Sequence, residues 1–167
     1  MPRKIVVGVM GAGEGALPSD VALAEELGEL IAREGFVLLT GGRPAGVMAA
    51  ANRGAKRVPS SLTLGISPLR NDADDPDEEA LVDIQVLTGM GDGRNVINVL
   101  SSDVVVACGT GGPGTTSEAA LALKSNRPLV MLRAAPGAKA FFATLGTVHF
   151  ADTPSQVLEL VRKLTGE

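Results

Sequence analysis

"DVVVACGTGGPGTTSEAALALKSNRPLVML", residues 103 to 132, decides the fold. It opens with a β-branched apolar run, Asp103 to Cys108, passes through a turn with four glycines, and continues in small and apolar residues at helical spacing from Thr116 to about Ser125. A second apolar run follows, Pro128 to Arg133. Short runs that are apolar throughout belong to strands covered on both faces, which is the condition of a parallel sheet. Strand, helix and strand in succession therefore predict a parallel βαβ unit.

The same alternation extends in both directions. Upstream, "KIVVGVM" (Lys4 to Met10), "FVLLT" (Phe36 to Thr40), "LTLGIS" (Leu62 to Ser67) and "DIQVLT" (Asp83 to Thr88) read as strands. Between them the pattern predicts helices over about 20–34, 47–55 and 94–101, the first capped by Ser19 or Asp20 and closed by Gly35. Downstream, "GAKAFFATLG" reads as a loop or weak helix, "VHFA" as a last strand, and Pro154 to Leu164 as a helix capped by Thr153. The fold class expected is α/β, Rossmann-like, a mainly parallel sheet with helices on both faces. With no repeat or linker in view, residues 1–167 are expected to form a single domain.

Ligands of such sheets bind beyond the carboxyl ends of the strands, and the glycines cluster there. "GAGEGA" follows the first strand, "GGRPAG" the second and "GTGGPG" the strand ending at Cys108. Glycine lets the backbone approach a ligand, and the next helix presents unpaired N–H groups and the positive end of its dipole. An anion, most often a phosphate, suits such a place. The candidate ligand-binding residues are accordingly Gly11, Gly13, Gly41, Gly42, Gly111, Gly112, Gly114, Thr115 and Thr116. The first loop begins as a dinucleotide fingerprint, yet it carries Glu14 where a pyrophosphate would lie, and no helix is predicted to start directly after it. A Walker-type phosphate loop is absent from the sequence, which disfavours an ATPase.

Composition narrows the partners. Fifteen Lys and Arg against 19 Asp and Glu give a net charge of −4, without the basic stripe that nucleic acid requires. Four Phe with no Trp or Tyr offer no stacking platform for single strands. One cysteine, Cys108, fits a reducing compartment, and neither a leader nor an apolar run of about 18 residues is visible. The expectation is a cytoplasmic protein with no nucleic-acid partner and no membrane association. Cys108 reads as a small core residue and His149 as no metal ligand, so no metal site is expected. The acidic stretch Asp72 to Glu79 reads as a solvated loop.

"GGPGTTSE" (Gly111 to Glu118) fits G-G-x-G-T-x-x-E. With "GVMGAGEG", "LLTGGRPAGVMAAANRGA", "LGISP" and an Arg nine residues before the Asp that opens the strand, the chain resembles the Lonely Guy superfamily, once described as "possible lysine decarboxylase". That superfamily includes cytokinin-activating phosphoribohydrolases and molybdenum-cofactor carrier proteins. The resemblance implies a Rossmann-like homodimer or homotetramer. For the hydrolase branch it implies Arg94 and Glu118 as a catalytic pair beside a phosphate held by Gly111, Gly112, Gly114 and Thr115. Cleaving an N-glycosidic bond builds positive charge on the ribose, which a carboxylate at Glu118 would stabilise, while the fork of Arg94 holds the phosphate or orients the glutamate. A carboxylate in the first turn of a helix is also favoured by the dipole alone, whereas a cation at a helix start, as at Arg94, asks for a partner.

Two departures bear on the branch. Around the arginine the hydrolases carry M-H-x-R-K, but this chain reads "GDGRN", with Asp92 for the His and Asn95 for the Lys. Its loop, "CGTGG", lacks the proline of their P-G-G. The carrier branch is similar in its short length, its first loop and its R-N pair. The reading favours a carrier-type binder of a phosphorylated small molecule, either a nucleotide or the molybdenum cofactor, with no cofactor required for chemistry. The alternative is a phosphoribohydrolase of nucleoside 5′-monophosphates, cytokinin ribotides among them. Lysine decarboxylation is set aside, because no lysine stands at these loops to hold pyridoxal phosphate.

Overall fold

The computed structural model describes residues 3–71, 81–109 and 111–167. Seven parallel strands form one sheet: β1 (Val6–Gly11), β2 (Val37–Thr40), β3 (Leu62–Ser67), β4 (Ile84–Leu87), β5 (Val104–Cys108), β6 (Leu129–Leu132) and β7 (His149–Ala151), in spatial order β4-β3-β2-β1-β5-β6-β7. The chain winds outward from β1 in one direction, returns, and winds outward again from β5. The reversal lies between β1 and β5, whose register pairs Val7 with Val104 and Gly11 with Cys108. This is the α/β, Rossmann-like architecture expected from the alternation of runs.

Successive side chains of each strand enter opposite faces. Val7, Val9, Val104, Val106 and Cys108 join α1 (Pro18–Arg33), α2 (Gly46–Lys56) and α6 (Pro154–Thr165) in one core. Met10, Val105 and Ala107 join α3 (Arg94–Ser101), α4 (Pro113–Lys124) and α5 (Pro136–Ala143) in the other. Both faces are therefore covered, which explains why the strands read as unbroken apolar runs.

Three expectations are corrected. The helix expected from Asp20 starts at Pro18, with Leu17 at the N-cap, so Ser19 and Asp20 lie inside it and neither caps it. The helix expected from Thr116 starts at Pro113. In both, a proline with its φ already helical takes the first position, where a missing N–H costs nothing. "GAKAFFATLG", read as loop or weak helix, contains α5, fixed to the sheet by the buried ring of Phe142. Thr153 caps α6 as expected, and with Gln156 it forms a capping box at the start of the helix. The acidic stretch Asp72 to Glu79 lies outside the described residues.

Candidate functional site

The loops leaving β1, β2 and β5 converge over the point where strand order reverses, and a cleft of about 160 Å³ opens there. Gly11 and Gly13 contribute from the first loop, Gly41 and Arg43 from the second, and Gly114, Thr115 and Glu118 from α4. Asp92 joins from the turn that leads into α3, Arg94 and Asn95 from the start of α3, and Val9, Met10 and Met48 add apolar lining.

Arg94 is the first residue of α3, yet its side chain is only 11% exposed because it folds back over the glycine of the second loop. A Cβ on Gly41 would come within 2.8 Å of Arg94 Nη2. A side chain at Gly41 would have to push aside the flexible ends of Arg94 and Met48. Arg94 Nη1 donates to Asn95 Oδ1 at 2.9 Å and stands 3.7 Å from Glu118 Oε1. Asn98, one turn further along α3, donates its Nδ2 to the same carboxylate oxygen at 2.9 Å. Among the described residues Arg94 Nε is buried with no hydrogen-bond partner.

Glu118 is six residues into α4, in its second turn and not in its first. The helix dipole has faded there, so an acid at this position is not explained by the helix end. Its side chain is 7% exposed. Burial holds the carboxyl above the usual carboxylate range, opposed by the Asn98 hydrogen bond and the nearby Arg94 charge. Burial likewise lowers the pKa of Arg94, against the attraction of Glu118, and the charge of Arg43 lowers it further.

A pH dependence follows. A carboxyl that binds its proton more tightly folded than unfolded gives most stability below the unfolded pKa, and that contribution falls as pH rises toward the folded value. Glu118→Gln should remove this component. Chemical denaturation from about pH 4.5 upward should show the stability difference, variant minus wild type, moving in favour of the variant as pH rises. A difference that is flat across this range would mean that Glu118 is already ionised throughout.

Several residues that build this region carry little mark in the sequence. Arg43 lay in a quoted glycine loop whose glycines alone were chosen. Asn98 had a signal, since it falls four residues after Arg94 and so on the same helix face. Asn95, read as a departure from a lysine, ties the helices together: its Nδ2 donates to Ser117 Oγ at 3.1 Å while its Oδ1 accepts from Arg94. Asp20, read as a cap, is buried under the loop after β5, where a Cβ on Gly109 (φ +77°) would lie 2.1 Å from its carboxyl carbon.

Gly42, Gly111, Gly112 and Thr116 do not line this cleft. The carbonyl of Gly42 accepts from Gln85 Nε2 on β4 at 3.0 Å, Gly111 packs against Thr115, and Gly112 is the N-cap of α4. Thr116 is exposed. Cys108 is fully buried and its thiol is pushed up to about 12, first by burial and then by Asp20, so it is no nucleophile at neutral pH. Among the described residues no three His, Cys, Asp or Glu side chains gather as metal ligands would.

A family model described as the SLOG cluster4 family matches residues 4–158. The chain belongs to the SLOG cluster4 family. An uncharacterized protein of Archaeoglobus fulgidus is 42% identical over 127 residues, 76% of this chain and 79% of that one. Among solved structures, the molybdenum cofactor binding protein of the phototrophic bacterium Rippkaea orientalis is 48% identical, covers 98% of each chain and superposes with a TM-score of 0.92. The molybdenum cofactor carrier protein of Chlamydomonas reinhardtii is 42% identical over 99% of this chain and 100% of its own, with a TM-score of 0.89. The Lonely Guy-type resemblance carried by Gly111 to Glu118 is upheld, and the two solved relatives are molybdenum cofactor binding and carrier proteins. No helix among the described residues is long and apolar enough to cross a membrane.

Proposed function

We propose that this SLOG cluster4 protein is a carrier that binds a phosphorylated small molecule in the cleft over the strand reversal, with the molybdenum cofactor as its first candidate cargo. The observation that carries the reading is the donor set: two guanidinium groups, Arg43 and Arg94, face a glycine-lined cleft, and the buried Nε of Arg94 has a hydrogen bond still to give. A phosphate group matches that chemistry. The likeness to molybdenum cofactor binding and carrier proteins over nearly the whole chain supports the choice of cargo. Pockets that enclose a whole ligand of drug size run to about 300–1,000 Å³. At about 160 Å³ this one takes the anionic end and leaves the rest over the open loops, as suits a ligand that must be handed on. Molybdenum cofactor mixed with the protein should be protected from oxidation, and protection no better than that given by Arg94→Ala would defeat the reading.

A phosphoribohydrolase is the second reading, and the 3.7 Å contact of Arg94 with Glu118 is what favours it. It requires base release from adenosine 5′-monophosphate or cytokinin ribotides, detected by chromatography, at a rate that Glu118→Ala abolishes. We further propose a homodimer or homotetramer. The exposed Val96 and Leu100 on α3 support it, and light scattering on the purified protein tests it.

A further inference from the structure

Glu14 projects from the first loop with 84% of its side chain exposed, and its Oε1 accepts from Arg43 Nη2 at 3.4 Å. Among the described residues this is the one hydrogen bond of the Arg43 guanidinium. The loops that carry the pair are held together at their bases: Val47 N donates to Ala12 O at 2.9 Å, and Gln85 fixes Gly42 next to Arg43. The backbone beneath Arg43 is therefore set, while the pairing above it is long, solvated and easily exchanged. Glu14 does not line the cleft, whereas Arg43 does.

We propose that Arg43 is a second anion-gripping residue of the cleft and that Glu14 is a built-in counter-ion, which occupies Arg43 in the empty protein and is displaced by an incoming phosphate monoester. The inference rests on the phosphate-binding reading above and adds a mechanism to it. Two guanidinium groups match a terminal phosphate monoester, which carries about −1.5 to −2 at neutral pH, better than a singly charged diester. Arg43 also adds to the positive charge that weighs on Arg94, so neutralising both with one ligand relieves that repulsion. Glu14 thereby sets affinity without touching the ligand. A carrier gains from such an exchange, because release is assisted by a carboxylate that takes the place of the departing anion.

Calorimetric titration with inorganic phosphate and with adenosine 5′-monophosphate, on wild type, Glu14→Gln, Arg43→Gln and the double variant, tests this. Glu14→Gln should bind about two- to five-fold tighter, the amount an exposed ion pair is worth. Arg43→Gln should bind about ten-fold weaker or worse, from the loss of a hydrogen bond to a charged group. In the Arg43→Gln background, most of the gain from Glu14→Gln should vanish. An equal gain in both backgrounds overturns the inference, since Glu14 would then act by general repulsion. Weaker binding by Glu14→Gln overturns it too, because Glu14 would then be a ligand contact. Wild-type binding that is insensitive to Arg43→Gln sinks this inference alone, whereas wild type that binds neither probe sinks the phosphate reading along with it. All four proteins should melt at closely similar temperatures, since both side chains reach solvent.

Discussion

Gly54→Ala is expected to destabilise the protein by at least about 2 kcal/mol, although alanine is the better helix former by about 1 kcal/mol. The sign is decided by where Gly54 lies. It is buried in the last turn of α2, and a Cβ there would sit 1.8 Å from the carbonyl oxygen of Glu25 and 3.0 Å from the backbone nitrogen of Glu29, both on α1. The contact is reciprocal, since a Cβ on Gly28 of α1 would sit 2.0 Å from the carbonyl oxygen of Ala51. Backbone meets backbone at both points, so no rotamer change can relieve the clash and the helices must separate. Separation would loosen the core that α1 and α2 share with β1 and β5, including Val7, Leu27 and Val106. Overpacking costs of about 1–3 kcal/mol, occasionally more, are typical where side chains can yield, and these cannot. In a chain of this size that is a drop of roughly 4–8 °C in melting temperature. Gly137→Ala supplies the contrast. That glycine is exposed in α5 with nothing near its missing Cβ, so the substitution should be neutral or slightly stabilising. Equal effects of the two substitutions would refute the close-approach account.

These glycines also mark a limit of what the sequence disclosed. Strand and helix alternation was legible because burial on both faces writes a strand as an apolar run, and β3 and α3 fall at their expected residues. Gly28 and Gly54 were silent, because a glycine within a helix looks like a propensity defect until the neighbouring helix is in place. The cleft was legible in part for a similar reason. Glycine clusters after strands announce where a ligand approaches, so Gly11, Gly13, Gly41 and Gly114 could be named from the chain alone. The polar residues gathered at the cleft, Arg43 and Asn95, and Asn98 behind Glu118, come from three-dimensional convergence of the loop after β2 with α3 and α4, and only Asn98 leaves a trace in helical spacing. The dipole account of Glu118 failed for want of one fact, that Pro113 begins the helix three residues before Thr116.

Arg94→Ala should weaken ligand binding by one to two orders of magnitude, the effect of removing a hydrogen bond to a charged group worth about 1.5–3 kcal/mol. Both functional readings predict this loss, so by itself it does not choose between them. The choice falls to Glu118→Gln. If the protein is a carrier, Glu118 serves to hold Arg94 in place, and the amide can still accept hydrogen bonds from Asn98 and from the guanidinium. Binding of molybdenum cofactor should then fall by less than about ten-fold, in keeping with a neutral hydrogen bond of about 0.5–1.5 kcal/mol. If it is a hydrolase, the carboxylate itself must face the charge that develops on the ribose. Nucleotide binding would then survive in Glu118→Gln while base release stops. The structure makes the carrier outcome the expected one. Burial raises the pKa of Glu118, which works against the charge that a developing cation needs, and its partners are Asn98 Nδ2 and the Arg94 guanidinium. Arg94→Lys sharpens the test, because lysine keeps the charge without the fork that reaches both Asn95 and the ligand. Restored binding in Arg94→Lys would show that charge alone suffices, and would remove the geometric reason for a buried Arg94 over Gly41.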